Sequence, residues 1–323
     1  MHNTRLFPKH RGAAAYRLTG IAERCDWSIM TDLDVNDVVL HGDDSKQPRT
    51  VFLSLRSFYR AIPYFYEEIL PGIENRFVFV TGSEDITVPN QLDARWRPFN
   101  TGEKELIEKI ISDERLIHWF AENRDEDRPK MSTLPTGYVF INETSNTVLL
   151  DAPDSKLKNR PLKALCAHRV REGRQWDVRR DVSELCRQHF KDFTTVLEAE
   201  ISSVDFRRLV RQHAFVLCAQ GGGNDPSPKA WMCIANGSIP IIRSSVLNDA
   251  YAQLPVAFVD EWDSECLNEE ILQNWVEDLA PYYDNDVVRA ITLKRLSLDY
   301  WWNKVMEVYE KSFQVKGREA GAG

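Results

Sequence analysis

The feature of this sequence that most constrains its fold is an alternation of short apolar runs with amphipathic stretches. Runs of this length and apolar content are typical of buried strands, and the stretches between them have helical periodicity. Such an alternation predicts an α/β fold, in which parallel strands are covered by helices on both faces. The pattern restarts after a polar segment at 151–160, and 323 residues are enough for two domains.

We therefore predict two Rossmann-like, doubly wound domains at 1–155 and 156–285, and a C-terminal helical segment at 286–323 that packs back across both domains. The elements predicted in the N-terminal half are, in order, strand Thr50–Leu53, helix Ser57–Ile69, strand Arg76–Thr81, helix Gly102–Asp113, a short strand or turn in Arg115–Glu122 and an apolar run at Met131–Phe140. Those predicted in the C-terminal half are strand Leu162–Cys166, helix Arg179–Phe190, strand Thr194–Leu197, helix Ser203–Gln212, strand Ala214–Cys218, helix Ser227–Ala235, strands Ser238–Ile242 and Val256–Val259, and one long helix from Asp286 to about Phe313.

Composition excludes several classes of protein. The chain has 41 basic and 49 acidic residues, a net charge of −8, which disfavours nucleic-acid binding and polybasic attachment to membranes. No apolar stretch approaches the ~18 residues of a transmembrane span, and no signal peptide is visible. The six cysteines lack metal-ligand spacing. Cys166, Cys218 and Cys233 lie in apolar runs and are predicted to be small core residues rather than zinc ligands or disulfides. We expect a cytoplasmic protein; a membrane anchor outside this sequence stays open.

A glycine-rich loop is the most informative segment. A buried strand, Ala214–Cys218, leads into Gly221, Gly222 and Gly223 and then into a helix with Ser227 at the N-cap and Pro228 at the first position. Glycines allow successive N–H groups to turn toward one anion, and a helix N-terminus also favours negative charge. Lys229 places a cation where the helix dipole disfavours it, and an anionic ligand would compensate.

This loop does not match the two common phosphate-binding motifs. A dinucleotide fingerprint that begins at Gly221 needs glycine at 226, where the chain has Pro226, and a P-loop needs Ser or Thr after the lysine, where the chain has Ala230. The alternative that this is an ordinary β–α loop stays open.

The same region resembles the donor-binding region of exostosin-like GT-B glycosyltransferases. The residues that carry the resemblance are Phe215-Val216-Leu217-Cys218, Gly221-Gly222-Gly223-Asn224-Asp225, Lys229-Ala230-Trp231, Gly237-Ser238-Ile239-Pro240-Ile241-Ile242, Leu254-Pro255-Val256 and Asp260-Glu261-Trp262. Weaker similarity lies in Val51-Phe52-Leu53-Ser54, Phe77–Asp85 with Val88-Pro89, and His118–Asn123 with Lys130 and Leu134–Gly137. The departures from the family pattern are Gln220 and Lys229, which replace arginines, and Met232, which replaces a glutamate.

The resemblance implies a GT-B fold, in which an acceptor-side domain and a nucleotide-sugar-binding domain face a cleft. It also implies transfer of a sugar from a nucleotide-sugar, with a UDP-sugar favoured, to a hydroxyl of an oligosaccharide or glycan. The nucleotide-sugar is a substrate, so no cofactor is expected. Inversion by direct displacement is implied for part of the group. Three alternatives stay open: a GDP-fucose-type transferase, an inactive carbohydrate- or nucleotide-binding relative, and another two-domain α/β enzyme such as an epimerase or phosphosugar enzyme.

Candidate site residues follow from this chemistry. Without a metal, the leaving diphosphate must be stabilised by cations and backbone N–H groups. The predicted donor-binding residues are Gly221, Gly222, Gly223, Asn224, Asp225, Ser227, Lys229, Arg169, Arg171 and Arg179. The predicted base is Asp85, with Glu84 and His118 as alternatives, because each lies near a predicted strand of the first domain. For Asp85 a turn-capping role stays open, and for His118 a packing role.

No metal is predicted. The motif Asp32-Leu33-Asp34 lies in a polar stretch, is not flanked by any buried strand that we predict, and is interpreted as loop.

Overall fold

The computed structural model describes residues 5–33, 37–43, 45–138, 155–226 and 228–319. The described chain forms two compact units, one of residues 5–138 with 298–319 and one of residues 155–297. Each unit is built on one sheet, and all but one of the strand pairings are parallel. The predicted α/β fold with two Rossmann-like sheets is confirmed. Within the described residues no helix combines the length and the apolar character needed to cross a bilayer.

The first unit contains a six-stranded sheet in the order β2-β1-β3-β4-β5-β6. Its strands are β1 Trp27–Met30, β2 Val39–Gly42, β3 Thr50–Ser54, β4 Phe77–Gly82, β5 Leu116–Ala121 and β6 Met131–Thr133. Its helices are α1 Ile21–Arg24, α2 Phe58–Tyr64, which continues as a π-helical turn at Phe65–Ile69, α3 Thr101–Ser112 and α10 Leu298–Glu319. Only β2 is antiparallel to its neighbour, so β1, β3, β4, β5 and β6 end at the same edge of the sheet.

The two faces of this sheet have separate cores because strand side chains alternate. Phe77 and Phe79 of β4 point toward α2 and α3, and Phe79 stacks on Phe65 with ring centroids 4.3 Å apart. Val78 and Val80, between and beyond them, are equally buried but belong to the opposite face. Helix α10 packs on β4 and β5. The C-terminal helix is thus part of the N-terminal unit.

The second unit contains a five-stranded parallel sheet in the order β11-β10-β9-β7-β8. Its strands are β7 Ala164–Cys166, β8 Thr194–Val196, β9 Phe215–Leu217, β10 Ile239–Arg243 and β11 Ala257–Val259. Its helices are α4 Asp177–Gln188, α5 Ser203–Gln212, α6 Pro228–Ala235, α7 Asn248–Tyr251, α8 Glu269–Asp284 and α9 Asp286–Arg295. The strand order reverses between β7 and β9, and such a reversal is where open α/β sheets bind ligands.

The prediction of one long helix from Asp286 to Phe313 is wrong. The chain leaves the helix at Leu296 and Ser297 and starts a new helix, α10, at Leu298. The indole Nε1 of Trp231 donates to the carbonyl oxygen of Leu296 at 3.1 Å, so this oxygen is engaged by α6 rather than by the next helical turn. A tertiary contact therefore separates α9 from α10.

For the N-terminal stretch, Asp32 and Leu33 lie in a loop as predicted, but the prediction that no buried strand flanks them is wrong. Strand β1 is buried along its whole length, lies inside the sheet beside β3 and ends two residues before Asp32. Asp32 itself is fully buried and pairs with Arg56. A buried strand therefore does precede the Asp32-Leu33-Asp34 motif; Asp34 lies outside the described residues.

Candidate functional site

The reversal in the second sheet brings two loops together. Strands β7 and β9 are neighbours in the sheet although β8 lies between them in sequence. The segment after β9 holds the glycine loop, and the segment after β7 holds Ala167 and His168. Because parallel strands end at one edge, both segments lie at the carboxyl end of the sheet.

At Gly221 the space that a side chain would fill is occupied by the guanidinium of Arg179. A Cβ atom on Gly221 would lie 2.4 Å from Nη2 of Arg179 and 2.7 Å from its Cζ, so the guanidinium packs directly against the backbone of the loop. Gly223 has φ of 61°, a left-handed conformation that glycine adopts without strain. Position 221 therefore requires glycine because Arg179 packs against the backbone there, and position 223 favours glycine because of its left-handed conformation.

Lys229 lies at the start of α6 and reaches across to the end of β7. Its Nζ donates to the carbonyl oxygen of Ala167 at 3.1 Å. Burial lowers the pKa of Lys229 from its usual 10.5, and the positive charge of Arg179 contributes to the same shift. The two cations are therefore near enough to disfavour each other, and an anion beside them would relieve this repulsion.

The structure separates the three predicted arginines. Arg179, at the start of α4, lies against the glycine loop, and its Cζ lies 5.0 Å from the ring centroid of Trp176. Arg169 and Arg171 are exposed and pair with Glu200 at 3.2 and 3.4 Å. Arg179 is therefore the arginine that the fold brings to the loop.

The remaining predicted donor-binding residues differ in exposure. Gly222 and Asn224 are partly exposed within the loop. Asp225 is buried, and its Oδ2 accepts a hydrogen bond of 2.7 Å from the hydroxyl of Tyr251. Ser227 lies outside the described residues. At least one carboxylate oxygen of Asp225 therefore accepts a hydrogen bond from within the protein.

His168 is a residue of this site that sequence reasoning missed. Its Nε2 lies 3.1 Å from the carbonyl oxygen of Leu217, and its Nδ1 lies 3.4 Å from Oγ of Ser183 and 3.5 Å from Sγ of Cys166. Burial lowers the pKa of His168, and the charge of Lys229 contributes. The only feature of the sequence that could have indicated this role is the position of His168 just beyond the predicted strand Leu162–Cys166.

The predicted base residues lie in the first unit. Glu84 and Asp85 follow β4 at the carboxyl edge of that sheet, whereas His118 lies in the middle of β5. An oxygen of Asp85 is 2.5 Å from Nη2 of Arg95, and Oε2 of Glu84 is 3.8 Å from Nη1 of Arg56. Nε2 of His118 lies 2.9 Å from Oγ of Ser132. The fold therefore places Glu84 and Asp85 together and His118 elsewhere on the sheet.

The same edge holds buried charges that sequence reasoning did not identify. Lys9 Nζ is 2.5 Å from Oε1 of Glu122, whose other oxygen accepts a hydrogen bond of 2.7 Å from the N–H of Ser83. Glu122 is 1% exposed, and this burial raises its pKa to about 7, because Lys9 offsets only part of the cost of desolvation. Arg56 and Asp32 form a second buried pair, with Nε and Oδ1 3.0 Å apart.

The sequence contains only a weak indication of these two ion pairs. Glu122 lies directly after β5 and Arg56 lies two residues after β3, so both are charged residues close to the end of an apolar strand. Lys9, however, comes from a distant N-terminal segment. Among the described residues, no group of three or more His, Cys, Asp or Glu side chains is arranged to hold a metal ion.

Comparison with known proteins gives little further information. No protein-family model matches the sequence, and no curated protein matches it. One similar solved structure is described as "Trehalose-6-phosphate from E. coli bound with UDP-2-fluoro glucose"; it has 10% identity and a TM-score of 0.37 and covers 83% of this chain and 72% of its own. Another is described as the "Glycotransferase of kitacinnamycin", with 9% identity, a TM-score of 0.30 and coverage of 85% and 77%. At these values the likeness carries no argument about function.

Proposed function

We propose that this protein is a glycosyltransferase whose second unit binds the diphosphate of a nucleotide-sugar, with a UDP-sugar favoured, beside the glycine loop. The observation that carries the proposal is the convergence of two cations from different helices at the strand reversal. Arg179 of α4 lies against Gly221, and Lys229 of α6 reaches the end of β7. A diphosphate is an anion whose charge such a pair of cations stabilises.

The proposed site also suits a leaving group. In the transfer, the acceptor hydroxyl oxygen bonds to the anomeric carbon, and the bond from that carbon to the diphosphate oxygen breaks. The diphosphate takes the bonding electron pair, and the hydroxyl proton passes to a base. Arg179, Lys229 and the N–H groups of the loop are proposed to stabilise the negative charge that develops on the diphosphate. Inversion at the anomeric carbon would follow from a single displacement.

Asp85 remains our proposed base for the hydroxyl proton. Its carboxylate is 34% exposed, whereas that of Glu122 is 1% exposed and that of Glu84 is 11% exposed. A base must reach the hydroxyl that it deprotonates, and this favours Asp85 over its buried neighbours. The ion pair with Arg95 would hold the Asp85 carboxylate in one orientation.

Isothermal titration with UDP and GDP tests the donor site. Lys229→Met keeps most of the side-chain volume and removes the charge, at a cost of about 1.5–3 kcal/mol for one charge-assisted contact. The affinity for the diphosphate should fall about 10- to 150-fold. Gly222→Val should also weaken binding, because its side chain crowds the loop backbone.

Lys163→Met is the matched control. Lys163 is an exposed lysine of the same unit directly before β7, at the opposite edge of the sheet, so its loss should leave the affinity unchanged. Binding that is equal in Lys229→Met and in the wild-type protein would contradict the proposed site. Tighter binding of GDP than of UDP would favour a GDP-sugar donor, and diphosphate binding without sugar transfer to any acceptor would favour an inactive binding relative.

A further inference from the structure

His168 occupies the point at which two strands of the second sheet diverge. Strands β7 and β9 pair from Ala164 opposite Phe215 to Leu165 opposite Val216. The carbonyl oxygen of Leu217, the next residue of β9, instead faces Nε2 of His168 at 3.1 Å. The imidazole therefore continues the connection between the two strand ends where the backbone pairing stops.

The contacts of the ring define the tautomer of its neutral form. A carbonyl oxygen can only accept a hydrogen bond, so Nε2 carries the hydrogen and the neutral ring keeps Nδ1 as an acceptor. The thiol of Cys166, 3.5 Å from Nδ1, can donate to it. The groups that face the ring are this thiol, the Ser183 hydroxyl of α4, and the charges of Lys229 and Arg179. Burial and both cations lower the pKa of the ring and favour its neutral form, whereas Cys166 acts in the opposite direction.

The position of His168 determines where Lys229 can be held. Cys166 is fixed by its place in β7 opposite Val196, and His168 is fixed by its bond to Leu217. Ala167 lies between these two fixed residues, and its carbonyl oxygen is the acceptor for Lys229 at 3.1 Å. If the ring were lost, this carbonyl would lose one of its two supports.

The same ring contacts the helix that carries Arg179. Oγ of Ser183 lies 3.4 Å from Nδ1 of His168 and donates to the carbonyl oxygen of Arg179 at 2.7 Å. Ser183 is one helical turn beyond Arg179, so a contact at Ser183 fixes the turn from which the guanidinium extends. One side chain thus contacts β9, supports the acceptor of Lys229 and contacts α4.

From this geometry we propose that His168 is a positioning residue that holds Lys229 and Arg179 beside the glycine loop, through its hydrogen bond to the carbonyl oxygen of Leu217 and its packing contact with Ser183. The ligand that these cations would receive is the diphosphate group, and this part of the proposal rests on the proposed function. His168 itself is not assigned contact with substrate.

The first measurement needs no ligand. The pKa of Lys229 is read from the pH dependence of its Cε resonance in protein labelled with [13C]lysine, assigned with Lys229→Arg. Burial keeps this pKa below 10.5 in the wild-type protein. His168→Phe, which fills the space without hydrogen bonds, should let Lys229 become hydrated and move its pKa toward 10.5. His168→Gln, which retains a donor and an acceptor, should keep the low value.

The control is a second partly buried histidine of the same unit. His213 lies before β9, where Nε2 is 3.1 Å from Oγ1 of Thr195 and Nδ1 is 2.8 Å from the carbonyl oxygen of Leu209. His213→Phe should leave the titration of Lys229 unchanged. If His168→Phe does not fold, as judged by circular dichroism, His168→Asn replaces it, because the shorter side chain cannot span the same contacts.

The second measurement is the affinity for UDP. His168→Phe should weaken UDP binding about tenfold or more, as expected for loss of one charge-assisted contact, and His168→Gln should retain most of the affinity. An unchanged Lys229 titration in His168→Phe would overturn the positioning role. A shifted titration in a protein whose wild-type form binds neither UDP nor GDP would support the positioning role and reject the proposed function.

Discussion

The pairing of Lys9 with Glu122 predicts a specific dependence of stability on pH. Glu122 has a pKa of about 7 in the folded protein, against an ordinary value of 4.5. Between these pH values the folded protein binds a proton that the unfolded chain has released, so stability falls as the pH rises through this interval. At 1.36 kcal/mol for each pH unit, the loss is about 3 kcal/mol between pH 4.5 and 8.

Glu122→Gln removes this titration while an amide oxygen remains to accept from the N–H of Ser83. We expect the free energy of unfolding of the variant, measured by urea denaturation, to resemble that of the wild-type protein near pH 4.5. It should exceed the wild-type value by about 3 kcal/mol at pH 8. The pKa of Lys9 is raised from 10.5, so the stability that the charged Lys9 contributes is lost only above about pH 10.5, well outside the interval from pH 4.5 to 8.

Glu103→Gln is the control of opposite sign. Burial tends to raise the pKa of Glu103, but the bond to Arg97 outweighs it and the pKa is lowered. The stability that ionised Glu103 contributes is therefore lost only as the pH falls below 4.5, the ordinary pKa of a glutamate. Between pH 4.5 and 8 the difference between Glu103→Gln and the wild-type protein should stay nearly constant. Parallel curves for Glu122→Gln and the wild-type protein over the same range would refute the reasoning, since Glu122 would then be ionised throughout.

Two further predictions concern the transfer reaction. Asp85→Asn should lower turnover by about 10²–10⁴-fold, with little change in donor affinity, because a general base acts on the acceptor hydroxyl; turnover near the wild-type value would move the role to Glu84 or another group. Transfer should persist after treatment with EDTA, as measured with excess donor, since cations and N–H groups are proposed to stabilise the leaving diphosphate; a loss of turnover that manganese or magnesium restores would contradict this.

Helices and strands whose apolar periodicity and caps are visible in neighbouring residues could be predicted from the sequence. Strands β3, β4 and β9 are apolar runs bounded by polar or glycine residues, and the helices α3 and α5 begin within a residue of the predicted position. Their apolar periodicity and their caps are properties of neighbouring residues, so they can be recognised without the fold. The glycine loop was predictable for the same reason, because conformation and close approach require glycine itself.

Sequence alone did not reveal the partners that distant segments supply. The Glu122 carboxylate is buried beside Lys9, which lies far away along the chain, and β1 is recognisable as a strand only once β3 lies beside it. Likewise, Trp231 ends a helix by binding the carbonyl of Leu296, and His168 finds its partners on β9 and α4. Desolvation, ion pairing and hydrogen bonding between such residues depend on separations in space, so only the tertiary structure decides them.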